Sequence, residues 1–326
     1  MSKYLSVIIP RYKESELDVF PLLSSINDQL GVDFSDIEVI FANDGGGAGE
    51  LDKDFLALFR DLDIRQIDLE KNGGPGLARQ AGIENANGQY LMFCDADDII
   101  HSVGVLDAMI QRAQETAPDI LSTSWLEELI TPEGKKTYIT HSHESTWMHG
   151  KFLRRQYLLT NGIRHHPDLR VHEDSYILSI ATALTNRQDY LDIISYVWKY
   201  GADSITRRNG AIYTYDSIPT FIFACCEAAK EVEKRNPAVM EYKAVQFAMY
   251  CYFSFHQPGW LAEAYEEYLR ASEEAFKKNM APLWHYVTDA APETIAKIYN
   301  EERQKNFVGL MEKETLEEWI RRLDIC

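Results

Sequence analysis

Three carboxylates fall within four residues at Asp95-Ala96-Asp97-Asp98, directly after the apolar run Tyr90-Leu91-Met92-Phe93-Cys94. Carboxylates are hard oxygen ligands suited to Mg²⁺ or Mn²⁺. In an open α/β sheet, ligands bind beyond the carboxyl ends of the strands. A strand that stops in acids there can hold a divalent cation. Asp is equally at home in a turn or at a helix N-cap, so the motif alone leaves both readings open. Other stretches carry related chemistry: Pro10-Arg11-Tyr12-Lys13-Glu14, Asn43-Asp44 before three glycines, and Asn72-Gly73-Gly74-Pro75-Gly76 leading to Arg79. They supply an aromatic face, acids that accept from a base or ribose, glycines that permit close approach, and an arginine. With the metal ligands, that is the inventory for a nucleoside diphosphate and a divalent ion. The glycine loop is not a Walker A sequence and lacks the last glycine of the dinucleotide fingerprint. By itself it also reads as a plain strand-to-helix turn.

These stretches need a scaffold that brings them to one edge. Leu5–Pro10 is short, β-branched and nearly all apolar, which suits a strand buried on both faces, with Pro10 stopping the ladder. Leu17, Phe20, Leu23, Ile26 and Leu30 then recur at helical spacing. Strands follow at Ile37–Ala42, Ile64–Leu69, Tyr90–Cys94 and Ile120–Trp125, with helices expected at Leu51–Leu62, Leu77–Asn85 and around Val105, Met109 and Ala113. This alternation predicts a Rossmann-like, mostly parallel, doubly wound α/β sheet over residues 1–125. Beyond it, Glu127–Trp147 reads as a hairpin or loop insertion, Lys151–Leu159 and Ser175–Leu184 as helices, and Ile193–Tyr200 as a strand. From Tyr215 the pattern is helical, roughly 216–235, 238–256, 259–280, 289–305 and 312–323, with Pro237, Pro258, Pro282 and Pro292 at the breaks. The expected domains are 1–210, made of a nucleotide-binding half (1–125) and an acceptor half (126–210), and a helical extension over 211–326.

The totals weigh against several classes, although Arg154-Arg155 and Arg207-Arg208 leave room for a small basic groove. A formal net charge of -18 over 326 residues repels nucleic-acid phosphates and anionic lipid. Five cysteines form no CxxC pair and no secretory signal opens the chain, so a reducing cytoplasm is expected. No apolar run reaches the roughly 18–20 residues of a membrane span. No Cys/His spacing suggests zinc.

The ordered motifs resemble a known family. Ser6-Val7-Ile8-Ile9-Pro10, Asn43-Asp44-Gly45, Asn72-Gly73-Gly74 with Ala78-Arg79-Gln80-Ala81-Gly82, and Asp95-Ala96-Asp97-Asp98 resemble family 2 of the inverting glycosyltransferases, which have the GT-A fold. The resemblance continues through Gly150-Lys151-Phe152-Leu153-Arg154-Arg155, His172-Glu173-Asp174, and Tyr196-Val197-Trp198-Lys199-Tyr200 with Ser204-Ile205-Thr206. It covers roughly residues 4–208. Two departures lie near the expected nucleotide. Arg11 and Lys13 flank Tyr12 where the family usually has a small residue and Asn, and Gly46 replaces the usual Ser.

The resemblance implies that Pro10, Tyr12 and Glu14 border the nucleoside and that Asp44 accepts from the uracil imide. Asn72, Gly73, Asp95 and Ala96 would also line the nucleotide-sugar site. Arg79 would sit by the first carboxylate or the diphosphate. Asp95 would face the ribose and metal, and Asp97 would bind Mn²⁺ or Mg²⁺. Asp174 is the candidate general base on the acceptor side, with Glu173 beside it. Capping of the helix near Ser175 is the competing reading of that pair. His165, His166 and His172 are candidate metal or diphosphate contacts, or merely solvated loop residues. Lys199 and Arg207-Arg208 are candidates to steady the diphosphate, or plain surface residues. Trp125, Trp147, Trp198 and Trp260 are candidate sugar platforms or core residues. Asp98 reads best as a cap for the next helix.

The expected function is inverting transfer of a hexosyl or N-acetylhexosaminyl group from a UDP-sugar to a hydroxyl of a glycan, teichoic-acid-type or other cell-surface polymer. Polysaccharide biosynthesis is the implied setting. The expected location is cytoplasmic, or peripheral to the inner face of the membrane. The C-terminal helices read first as a bundle packed on the catalytic domain, with an oligomer interface, an acceptor module or a membrane-surface contact as alternatives. The alternatives are a nucleotidyl or phosphoryl transferase on the same fold and a non-catalytic sugar-nucleotide-binding protein.

Overall fold

The computed structural model describes residues 3–47, 49–201, 204, 207, 212–257, 265–306 and 314–325. Ile205, Thr206, Arg208, Pro258 and Trp260 lie outside them. The chain divides into two compact units, Met1–Gly201 and Ala202–Cys326.

In the first unit, β1 (Lys3–Arg11), β2 (Ile37–Asn43), β3 (Asp63–Asp68) and β4 (Gly88–Phe93) run parallel in the order β3-β2-β1-β4. β1 and β2 are central and their apolar residues are buried on both faces, as the unbroken β-branched runs require. Pro10 does not end β1. It pairs opposite Ala42 beyond the last partner on β4, where β1 has a neighbour on one side only. Between strands run α1 (Glu16–Asn27), α2 (Lys53–Leu56), α3 (Pro75–Asn85) and, after the short β5 (Ile99–Ile100), α4 (Val105–Thr116). α3 lies so close to β1 that a Cβ at Gly82 would come within 2.3 Å of Ile8. Any larger residue there would lift the helix that carries Arg79.

Two local expectations give way to tertiary contacts. The helix expected over Leu51–Leu62 is confined to α2; at its start, Gln66 from β3 occupies both the N–H and the C=O of Leu51 and keeps that residue out of the helix. The helix expected from Lys151 starts at α5 (Arg155–Thr160), and Lys151–Arg154 form the strand β8. β8 lies antiparallel between β4 and β6 (Ile120–Ile130), with Phe152 and Leu153 fully buried. Filling that slot in the sheet outweighs the local helical pattern. The sheet therefore curls onward as β8-β6-β9-β5, with β9 (Gln188–Trp198) parallel to β6. β6 also forms a hairpin with β7 (Lys136–His141) through a turn at Gly134. α6 (Glu173–Ala183) precedes β9.

The second unit is helical: α7 (Ile212–Glu233), α8 (Met240–Phe255), α9 (Glu266–Met280), α10 (His285–Thr288), α11 (Pro292–Asn306) and α12 (Leu316–Leu323). Its core is aromatic, with Tyr252, Phe253, Phe276 and Trp319 fully buried. A capping box between Thr315 and Glu318 starts α12. Among the described residues, no helix is long and apolar enough to cross a membrane.

Candidate active site

The carboxyl ends of β1, β2 and β4 and the head of α3 carry the residues singled out in the sequence. After β1 the chain turns sharply. The Glu14 carboxylate accepts from the Tyr12 and Lys13 N–H groups at 2.7 and 3.0 Å, so Glu14 builds the turn that presents the Tyr12 ring. The Lys13 ammonium lies 5.1 Å from that ring's centre. Asp44 is buried, and its two oxygens accept from the backbone N–H of Gly73 (2.6 Å) and Gly74 (2.8 Å). Each oxygen retains a second lone pair. Asp44 thus ties the end of β2 to the glycine loop, and Gly74, at φ +87, starts α3. Arg170, which drew no notice in the sequence, donates to the Asn72 side chain (2.8 Å) and carbonyl (3.1 Å). A cavity of about 240 Å³ opens between Arg11, Tyr12, Asn43, Asp44, Asp68, Leu69 and the glycines at 45–47.

Arg79 is the hub beside that cavity's strand ends. It is 6% exposed, and it donates to Asp95 at the end of β4 and to Glu173 at the head of α6, both at 2.6 Å. Burial alone would raise the Asp95 pKa, but the Arg79 guanidinium outweighs it and holds Asp95 below the usual carboxylate range. Burial lifts Glu173 above its usual value despite the same arginine. The 2.6 Å contact nonetheless engages the Glu173 carboxylate as a partner of Arg79. Asp174 follows it in the first turn of α6 and accepts from the Ser175 N–H at 2.7 Å. Burial and the adjacent Glu173 push Asp174 up to about 7, against the opposing pull of Arg79.

Ala96 is buried, whereas Asp97 is exposed. Partial desolvation, then Asp95 and Glu14, push Asp97 up to about 6. A carboxylate whose charged form is disfavoured by neighbouring acids is one that a cation would relieve. Asp98 does not cap α4, whose N-cap is Gly104. It is fully buried and accepts from the Tyr196 hydroxyl (2.6 Å) and the Lys199 N–H (2.8 Å). The Tyr196 oxygen in turn accepts from the Asp95 N–H at 2.9 Å. Asp98 and Tyr196 lace the end of β4 to the end of β9.

Ligand atoms of Asp95, Asp98 and His149 all lie within 4.8 Å of one another. His149 is buried under the rings of Tyr196, Trp198 and Trp147, and burial lowers it to about 4, so its imidazole is neutral. Carboxylates with one imidazole suit Mn²⁺ and, less well, Mg²⁺. The donor set of Asp95, Asp98 and His149 thus suits a divalent ion, and Asp97, the ligand expected from the sequence, is not part of that cluster. Nothing in the sequence links His149 to Asp95 and Asp98, which lie about fifty residues away, although His141 and His143 are close by. His165 is buried and lowered to about 3 by burial, His166 packs edge-on to Tyr176, and His172 takes a left-handed conformation before α6. Trp125 is core and stacks on His141 at 4.0 Å; Trp147 and Trp198 are half-buried in the same cluster.

Comparison with known proteins agrees with this architecture. The profile described as "Glycosyl transferase family 2" matches residues 6–170, half of the chain. The uncharacterized glycosyltransferase EpsJ of Bacillus subtilis is 28% identical over 228 residues, 63% of this chain and 64% of EpsJ. The uncharacterized glycosyltransferase YwdF of the same organism is 38% identical over 40% of this chain and 44% of its own length. The chain spans less than two thirds of the length of these curated relatives. S. aureus TarS 1-349, solved in complex with UDP-GlcNAc, superposes with a TM-score of 0.66 at 20% identity, over 96% of this chain and 98% of that one. That likeness establishes the GT-A fold.

Proposed function

This chain belongs to glycosyl transferase family 2, and on that premise we propose that it transfers a hexosyl or N-acetylhexosaminyl group from a UDP-sugar to a hydroxyl of a glycan or teichoic-acid-type acceptor, with inversion. The observation that carries this reading is the Arg79 hub. One buried guanidinium joins the acids at the end of β4 to the head of α6, so the residues for leaving group and acceptor share one electrostatic cluster. TarS, which shares the fold, was solved with UDP-GlcNAc, which supports a UDP-sugar donor.

In this mechanism the nucleobase enters the cavity beside Tyr12 and Asp44, bordered by Pro10. Asn72, Gly73 and Ala96 shape the approach to the diphosphate. Asp97 and Asp95 would hold Mn²⁺ or Mg²⁺, and the ion would supply Lewis-acid stabilisation of the departing diphosphate. Arg79 fixes Asp95 in one rotamer and keeps it ionised. Asp174 accepts the proton of the attacking hydroxyl, and a base near pH 7 is matched to that task. Glu173 holds Arg79 and raises the basicity of Asp174. A single displacement from the face opposite the leaving group inverts the anomeric centre, by analogy with the two-sided geometry of inverting hydrolases.

The test is a nucleotide-release screen across UDP-, GDP- and CDP-sugars, with Mn²⁺, with Mg²⁺ and with EDTA, followed by product NMR. Release of UDP that depends on a divalent ion and yields an inverted anomer is the expected result. Release of pyrophosphate, or turnover unchanged by EDTA, contradicts the proposal.

A further inference from the structure

Two of the residues that depart from the family pattern, Arg11 and Gly46, meet in the nucleobase cavity. A Cβ at Gly47 would fall 1.5 Å from the Tyr12 carbonyl oxygen, so the glycine loop packs flat on the turn after β1. Arg11 pins the far end of that loop. Its Nε donates to the Glu14 carbonyl at 2.7 Å, and its Nη1 donates to Asn43 Oδ1 at 3.1 Å and to the Gly49 carbonyl. A guanidinium has five N–H groups, and these contacts use the Nε hydrogen and both on Nη1. The two on Nη2 have no acceptor among the described residues. Arg11 is 4% exposed and lines the cavity together with the carboxylates of Asp44 and Asp68. Asp68 uses one oxygen to accept from Asn43 at 2.8 Å. The cavity therefore offers a fixed donor pair next to carboxylate acceptors. At about 240 Å³ it is smaller than the 300–1,000 Å³ of pockets for whole ligands, so it takes one part of the nucleotide.

We infer that Arg11 is a specificity-determining residue for the nucleobase: its Nη2 donates to a ring carbonyl while a neighbouring carboxylate accepts the adjacent ring N–H. Uracil presents that edge, with N3–H beside O4. Cytosine presents the reverse, an amine beside an N3 lone pair, which faces Arg11 with a donor and the carboxylate with a lone pair. Sites built to hydrogen-bond one edge reject the analogue that leaves their polar groups unpaired. Because its other three hydrogens are engaged, the fork is held before the ligand arrives, which lowers the ordering cost of binding.

The inference rests on the reading of this cavity as a nucleoside diphosphate site, and binding of the free nucleotides separates the two. UDP and CDP have the same ring size, so calorimetric titration of the full chain with each, in Mn²⁺, reads the edge alone. The expected result is UDP binding at least tenfold tighter than CDP, and Arg11→Gln closing that gap mainly by weakening UDP. Equal binding of UDP and CDP by the unaltered protein overturns the inference while leaving the nucleotide site standing. So does an Arg11→Gln protein, folded by circular dichroism, that weakens both nucleotides by the same factor, which assigns Arg11 to loop positioning alone. If neither nucleotide binds, the inference falls together with the functional reading. A ligand-side variant needs no mutation: 4-thio-UDP, whose sulfur is a poor acceptor, is expected to bind the unaltered protein several-fold more weakly than UDP. Equal affinity for the two contradicts the donor role.

Discussion

Each unit of this protein contains an arginine bridging two carboxylates, and the two bridges differ in burial. Arg79 joins Asp95 and Glu173 with 7% of its side chain exposed, and Glu173 is equally enclosed at 8%. Arg322 joins Glu273 and Glu314 with 48% of its side chain in solvent. The contacts are alike in length, 2.6 and 2.6 Å against 2.6 and 2.7 Å. Exposed bridges gain little, because water solvates the separated charges almost as well. Buried ones carry a desolvation penalty, and removing one partner strands the others. The second unit could dispense with its bridge and keep an aromatic core around Trp319. In the first unit the bridge holds Asp95 ionised and leaves Asp174 near pH 7, which an apolar replacement would not do.

The largest expected effect is that of Arg79→Met. It strands Asp95 and Glu173 and is expected to cost about 3–5 kcal/mol of stability, measured by urea denaturation, with transfer lost. A loss below about 1 kcal/mol would erase the contrast with the exposed bridge. Removing the divalent ion comes next. Asp97→Asn is expected to weaken Mn²⁺ binding at least tenfold, measured by calorimetry with UDP present, and unchanged affinity would move the ion away from Asp97.

The pH dependence sharpens the contrast further. Asp174 acts when deprotonated, so kcat/KM is expected to rise with pH to a plateau above an apparent pKa of about 7. Stability runs the other way. The folded pKa of about 7 exceeds the roughly 3.9 of an unfolded Asp, so the folded state binds the extra proton in between, and stability falls as pH rises from about 4 to 7. Asp174→Asn is expected to remove that slope and melt higher at pH 8, and a mutant with the same slope would contradict the assignment. The smallest effect belongs to Arg322→Met, at or below about 1 kcal/mol, checked by the same denaturation.

Much of this arrangement was legible from one sequence because the parallel strands are long apolar runs with chemistry at their ends. The runs at Leu5–Pro10 and Ile37–Ala42 announce buried strands, and topology alone then aligns Asp44, Arg79 and Asp95 along one edge. What was not legible came from contacts distant in sequence. Lys151–Arg154 becomes a strand only because a slot exists between β4 and β6. Asp98 looked like a helix cap because its partners, Tyr196 and Lys199, are about a hundred residues away. Arg170 and His149 have no local pattern at all. Their roles arise from a glycine loop and an aromatic cluster that other segments build.

The most direct test of the account pairs binding with turnover in Asp174→Asn. The substitution keeps the shape of the side chain and removes only the base. The expected result is UDP affinity unchanged within about twofold, with kcat for sugar transfer reduced by roughly 10²–10⁴. Full transfer activity in a folded Asp174→Asn protein would contradict the central claim that Asp174 receives the acceptor's proton.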